Sequence, residues 1–189
     1  MKRLFVAIKI IPDEQFLSVY HALKKEMVLD TLKWVEPHNF HLTLKFIGNT
    51  SSERIPVLVK ALKEVSKRYE PFTFSLEKTG LFGSSYRPRI LWFGSENPSE
   101  TLISLGEDVL ETLDKAGFLR DRQNFVPHLT VARIKQIVRK EAFQETIQKH
   151  QNGFIQKVEV NQIYLYESIL RPEGPLYKVV ETFSLTSKS

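Results

Sequence analysis

The chain of 189 residues contains no cysteine. Disulfides, thiol nucleophiles and thiolate metal sites are therefore excluded together, and a reducing cytosol is the natural setting. No stretch approaches the ~18 uninterrupted apolar residues of a membrane span. Met1-Lys2-Arg3 followed by an apolar run has the outline of a signal peptide, but Lys9 interrupts the run and Pro12-Asp13 soon follows, so its apolar core is too short. Glycine is scarce, at 8 residues, and no Ser/Gly/Pro-rich linker divides a chain that is 42% hydrophobic. A single domain over residues 1–189, cytoplasmic and monomeric, is the expectation. The sequence also lacks a Gly-x-x-x-x-Gly-Lys-Ser/Thr phosphate loop, a Gly-x-Ser-x-Gly nucleophile elbow and a His-Glu-x-x-His zinc helix.

What is present is a pair. His41-Leu42-Thr43-Leu44 and His128-Leu129-Thr130-Val131 stand 87 residues apart in a chain with five histidines. In an extended strand residues i and i+2 share a face, so each copy presents an imidazole beside a hydroxyl and turns its apolar residues to the core. One such tetrapeptide carries little weight, because a half-buried strand histidine is usually structural. The matching surroundings change that. An apolar strand precedes each copy by 37 residues, Leu4 to His41 and Leu91 to His128, and a helical segment follows each, residues 51–69 and 139–150. Each half reads strand, helix, motif strand, helix, strand. A repeat of about 85 residues at two copies predicts a duplicated lobe with a pseudo-twofold axis. The expected class is α+β, with two pseudo-symmetric lobes, each a mainly antiparallel sheet with helices on its outer face, and an active-site cleft between them.

Two imidazoles and two hydroxyls suit phosphoryl chemistry. Imidazole titrates near pH 6.5, so one histidine can act as base while the other acts as acid. Threonine hydroxyls can donate to non-bridging oxygens, and a phosphodiester is the natural substrate. The remaining His21, His38 and His150 read as structural, so no metal site and no cofactor is expected.

The chain carries a formal charge of +5 and a pI near 9.3, which favours a phosphorylated or polyanionic partner. Lys45 follows the first motif in alternation and is a candidate phosphate contact. Strict alternation turns Arg133 towards the core, the wrong side for an anion ligand unless the strand twists or ends there. Phe5, Tyr86, Arg87 and Arg89 are further candidate contacts to a nucleic acid, with core packing the stronger reading for Phe5. Lys60, Lys63, Lys67 and Arg68 recur at helical spacing and read as a solvated face.

These residues resemble the two-histidine (2H) phosphoesterase superfamily, and within it the RNA 2',3'-cyclic phosphodiesterases historically called 2'-5' RNA ligases. The resemblance rests on residues 3–8, 39–48, 88–92 and 125–133, closing on Glu167-Ser168 and Gly174-Pro175-Leu176-Tyr177. It implies a metal-independent enzyme that opens a 2',3'-cyclic phosphate on RNA, or on a small cyclic nucleotide, to a 2'-phosphate. It also implies His128 as base, His41 as acid, Thr43 and Thr130 as phosphoryl-oxygen ligands, and Arg133 as added positive charge. Alternatives are the reverse reaction, 2'-5' RNA ligation, and an RNA-binding module without chemistry. No Lys-x-Asp-Gly adenylation motif supports ATP-driven joining.

Overall fold

The computed structural model describes residues 1–84, 86–120 and 124–186. The strands are β1 (Lys2–Lys9), β2 (Thr31–Trp34), β3 (His41–Thr50), β4 (Phe72–Gly83), β5 (Pro88–Gly94), β6 (His128–Gln136), β7 (Asn152–Val160), β8 (Gln162–Arg171) and β9 (Gly174–Ser184). The helices are α1 (Glu14–Glu26), α2 (Ile55–Ser66), α3 (Glu100–Lys115) and α4 (Lys140–Lys149). Local signals set their starts. The Asp13 side chain accepts the Phe16 amide at 2.8 Å, and Ser99 accepts that of Leu102 at 3.2 Å. Such caps each contribute about 1 kcal/mol. Phe16, Tyr20 and Leu23 then recur on the buried face of α1, as their spacing predicts.

All strands join one antiparallel sheet in the order β7-β4-β5-β6-β3-β1-β8-β9, with β2 beside the later part of β6. The lobes meet where β3 and β6 pair, through Leu42 opposite Leu129, the residues inside the two motifs. The pseudo-twofold axis therefore runs through the motif pair, and the expected cleft is this seam. The helices cover the opposite face of the sheet, where Leu4, Val6, Ile8, Leu42, Leu129 and Val131 are buried in one core. Burial of each large apolar side chain contributes about 1.5–3 kcal/mol before entropy is counted.

The lobes are not the halves of the sequence. After α2 the chain crosses over, so β4 pairs with β5 and β7, while β8 and β9 return to β1. Helices cross in the same way: α3 packs on β3, α2 on β9, and α1 on β7. Arg68 is exposed, as expected, and its guanidinium also donates to both Asp108 carboxylate oxygens, at 2.9 and 2.7 Å, tying the end of α2 to α3.

Candidate active site

Neither motif strand alternates past its threonine. In β3, Thr43 lies opposite Ala7 but Lys45 lies opposite Val6, leaving Leu44 as an extra residue; in β6, Thr130 lies opposite Trp92 but Ala132 lies opposite Leu91, leaving Val131 extra. These are β-bulges at equivalent positions. Each puts two successive residues on the core side and reverses the alternation beyond them. Leu44 and Lys45 are consequently both buried, as are Val131 and Ala132.

This corrects two readings. Lys45, expected beside the catalytic residues, is only 4% exposed, and its Nζ donates to the Leu119 carbonyl at 2.7 Å on the far side of the sheet. Arg133, expected towards the core, emerges on the face of His128 and Thr130, opposite Ile90 of β5 and Lys33 of β2. The residue equivalent to Arg133 in the first motif is Phe46, an aromatic ring 61% exposed beside Phe5. Strict alternation assigns Phe46 to the core with Leu42 and Leu44, which its exposure contradicts, and it gives Lys33 no place; only the bulge reveals the face they share with the motifs.

The antiparallel register about Leu42 and Leu129 sets His41 across from Thr130 and Thr43 across from His128. The two imidazoles are then a diagonal pair, for which ~7–8 Å is the ordinary spacing. Each ring is held in the same way. His41 Nδ1 lies 2.7 Å from the Asn39 carbonyl and His128 Nδ1 lies 2.8 Å from the Val126 carbonyl. A carbonyl oxygen only accepts, so each Nδ1 carries the proton and each Nε2 keeps its lone pair for chemistry.

Aromatic rings fix the imidazole planes. His41 touches Phe5 at 5.0 Å and stands edge-to-face with Tyr177 at 5.1 Å; His128 stands edge-to-face with Phe82 at 4.8 Å, which in turn leans on Trp92. Trp92 lies across Gly80, where a Cβ would come within 2.1 Å of its ring. Phe5 is 2% exposed, so it has no free face for a nucleobase, and its place as an RNA contact is corrected to a support for His41. Tyr177 comes from the returning strand β9, and Asn39 secures that strand by donating from Nδ2 to the Pro175 carbonyl at 3.1 Å.

Tyr86, Arg87 and Arg89 are exposed at the β4–β5 connection, away from the histidines, with Arg89 on the side of Leu91 rather than of Trp92. His150 pairs with Glu26 at 3.2 Å, and His38 lies in a short 3-10 turn, Pro37–Asn39. Among the described residues no group of three or more His, Asp or Glu side chains is arranged to hold a metal ion. No helix among them is long and apolar enough to cross a membrane.

Burial penalises the imidazolium form and holds both histidines below the usual value. The carbonyl bond opposes this at each ring, and for His41 the charge of His128 adds to the lowering. Both rings are therefore neutral at pH 7 in the free protein. An acid histidine must carry its proton, so activity that needs one is lost as pH rises through a value below 6.5. The descending limb of kcat/KM, which reports the free enzyme, is expected with its midpoint below pH 6.5, and that of kcat at a higher pH than that of kcat/KM, because bound phosphate favours the imidazolium. A kcat/KM limb centred at or above 6.5 contradicts this account.

Two positioned imidazoles flanked by two hydroxyls and a guanidinium form a site suited to acid/base transfer at phosphorus. A family model described as LigT like phosphoesterase matches the chain twice, over residues 8–92 and 93–177, repeating the duplication read from the motifs. The chain belongs to this family. An Aquifex aeolicus protein named RNA 2',3'-cyclic phosphodiesterase is 38% identical over 170 residues, 89% of this chain and 90% of its own. One of the same name from Archaeoglobus fulgidus is 35% identical over 182 residues, 96% of this chain and 99% of its own. Among solved structures, E. coli LigT complexed with 3'-AMP superposes with a TM-score of 0.80 at 26% identity, covering 98% of this chain and 99% of that one.

Proposed function

We propose that this protein hydrolyses 2',3'-cyclic phosphodiester ends of RNA to 2'-phosphomonoesters. The observation that carries the reading is the matched pair of imidazoles, each with Nδ1 tied to a backbone carbonyl and Nε2 left with its lone pair. The names of the relatives supply the substrate class.

In the proposed reaction, His128 Nε2 takes a proton from water and the resulting oxygen attacks phosphorus. The bond from phosphorus to the 3'-oxygen breaks as His41, which takes a proton from solvent when the phosphate anion binds beside it, gives that oxygen its Nε2 proton. His128 ends protonated and His41 neutral, and exchange with solvent resets the pair. The pseudo-symmetry makes the two rings equivalent in geometry, and the family resemblance names His128 the base. Thr43 and Thr130 donate to the non-bridging oxygens, and Arg133 offsets their charge. Phe46, exposed on the same face, offers a surface on which the terminal base can stack. Both motifs come from one chain, so a monomer suffices.

Joining the cyclic end to a 5'-hydroxyl would use the same residues in reverse, but water at ~55 M outcompetes a second RNA end. The test is incubation with RNA ending in a 2',3'-cyclic phosphate, followed by identification of the product. A 2'-phosphate is expected, whereas an intact cyclic end or a 3'-phosphate rejects the assignment.

A further inference from the structure

Beyond Arg133 the strand β6 runs about 10 Å further to Gln136 at ~3.3 Å per residue, and the sheet stops there. Basic residues continue along this route. Lys33 lies opposite Arg133 on the neighbouring strand, Lys135 follows two residues on, and Arg139 and Lys140 begin α4. Arg87 is exposed in the neighbouring connection of β4 and β5. None of these cations is in an ion pair with a carboxylate among the described residues, whereas Lys2, Arg68, Lys115, Arg120 and Lys149 all are.

Past the end of β6 the surface turns round the sheet to its helix-covered side, where a groove of about 450 Å³ is lined by Leu81, Tyr86, Pro88, Val138, Lys140 and Phe143 among others. Tyr86 is 87% exposed, and the Lys140 ammonium sits 4.9 Å from its ring centroid, fixing the ring while leaving its other face open. Unpaired cations leading to an open aromatic ring over an apolar groove match the needs of a single nucleic-acid strand: charge tracks the phosphates and a π-face receives a base.

We infer that the surface from Arg133 along β6 to the groove beside Tyr86 binds the RNA chain on the 5' side of the cyclic end. The inference rests on the cyclic phosphodiesterase reading above and deepens it, since it makes an RNA strand, rather than a free mononucleotide, the preferred substrate. Tyr86, Arg87 and Lys140 act on strand affinity and touch no reacting atom.

The test replaces these three by alanine, singly and together, and compares two substrates: a 2',3'-cyclic mononucleotide and an RNA of about ten nucleotides with the same end. For the triple variant, kcat/KM on the RNA is expected to fall tenfold or more, about what one stacked base and its neighbouring phosphates carry, with the whole effect in KM. The dependence of log kcat/KM on log salt should become shallower by ~0.7 for each phosphate that the variant no longer neutralises. Turnover of the mononucleotide should stay within about twofold, a margin well below the worth of one stacked base. Equal losses on both substrates, or no loss on either, overturn the inference.

Anisotropy titration of a labelled RNA of that length reads the same surface without turnover. Equal binding by wild type and the triple variant overturns the inference by itself, while wild type inactive on both substrates but binding RNA more tightly than the variant rejects the activity and supports the strand site. Competition by poly-aspartate as strong as by RNA of equal charge would show a surface reading charge alone, and would also overturn it.

Discussion

Replacing His41 or His128 by alanine is expected to lower kcat on a 2',3'-cyclic phosphate by about 10²-fold or more, the range for losing a positioned acid or base. Both effects should be of this size because each ring offers the reaction a single Nε2. The double variant should be little slower than the slower single one. Once the acid is gone the leaving oxygen departs unprotonated, and activating the water gains little, as for catalytic residues that act as a unit. Circular dichroism and thermal melting separate this from misfolding, and His→Asn, which preserves polarity at the Nδ1 position, gives a second variant of each site. Turnover that survives both replacements would falsify the two-histidine assignment.

Thr43→Val and Thr130→Val are each expected to cost about 10²-fold in kcat with a smaller change in KM. The hydroxyl meets an oxygen whose negative charge grows as the attacking and leaving oxygens share phosphorus, so its hydrogen bond is strongest in the transition state. Valine keeps the shape and removes only the donor, and Thr→Ser restores the donor and should recover most of the rate. Steady-state kinetics with the cyclic mononucleotide reads both effects without contribution from a longer strand. A loss confined to KM would mean that the threonines bind ground state and transition state equally.

Much of the site was legible in the chain because strand alternation and duplication act on local sequence. His41 and Thr43, and His128 and Thr130, share their faces as the period of two dictates, and the 37-residue approaches mark equivalent strands. What the pattern concealed about Lys45, Phe46 and Arg133 has one physical origin, the bulge. Leu44-Lys45 and Val131-Ala132 give no composition signal for an extra residue, since leucine, valine and alanine suit either a continuing alternation or a doubled core position. Alternation therefore carried Lys45 into the site and Arg133 out of it, and the bulges reverse both. The lobe exchange was hidden for another reason. Hydrophobic periodicity locates β4 and β8 but does not say which neighbour each will pair with, because pairing is decided by long-range packing.

The returning strands have a consequence for how such a chain could have arisen. A single ancestral repeat, folded alone, would leave its last strand with no partner in its own lobe, and two copies would satisfy each other by exchange. The seam would then have been an interface between identical molecules, with one His-x-Thr-x from each, and the site older than the fusion that made it intramolecular. Fusion would have freed the two sides to diverge, and the bulge position fits that history: the same backbone slot presents Arg133 on one side and Phe46 on the other, so a symmetric pair of imidazoles is flanked by a cation on one lobe and an aromatic ring on the other.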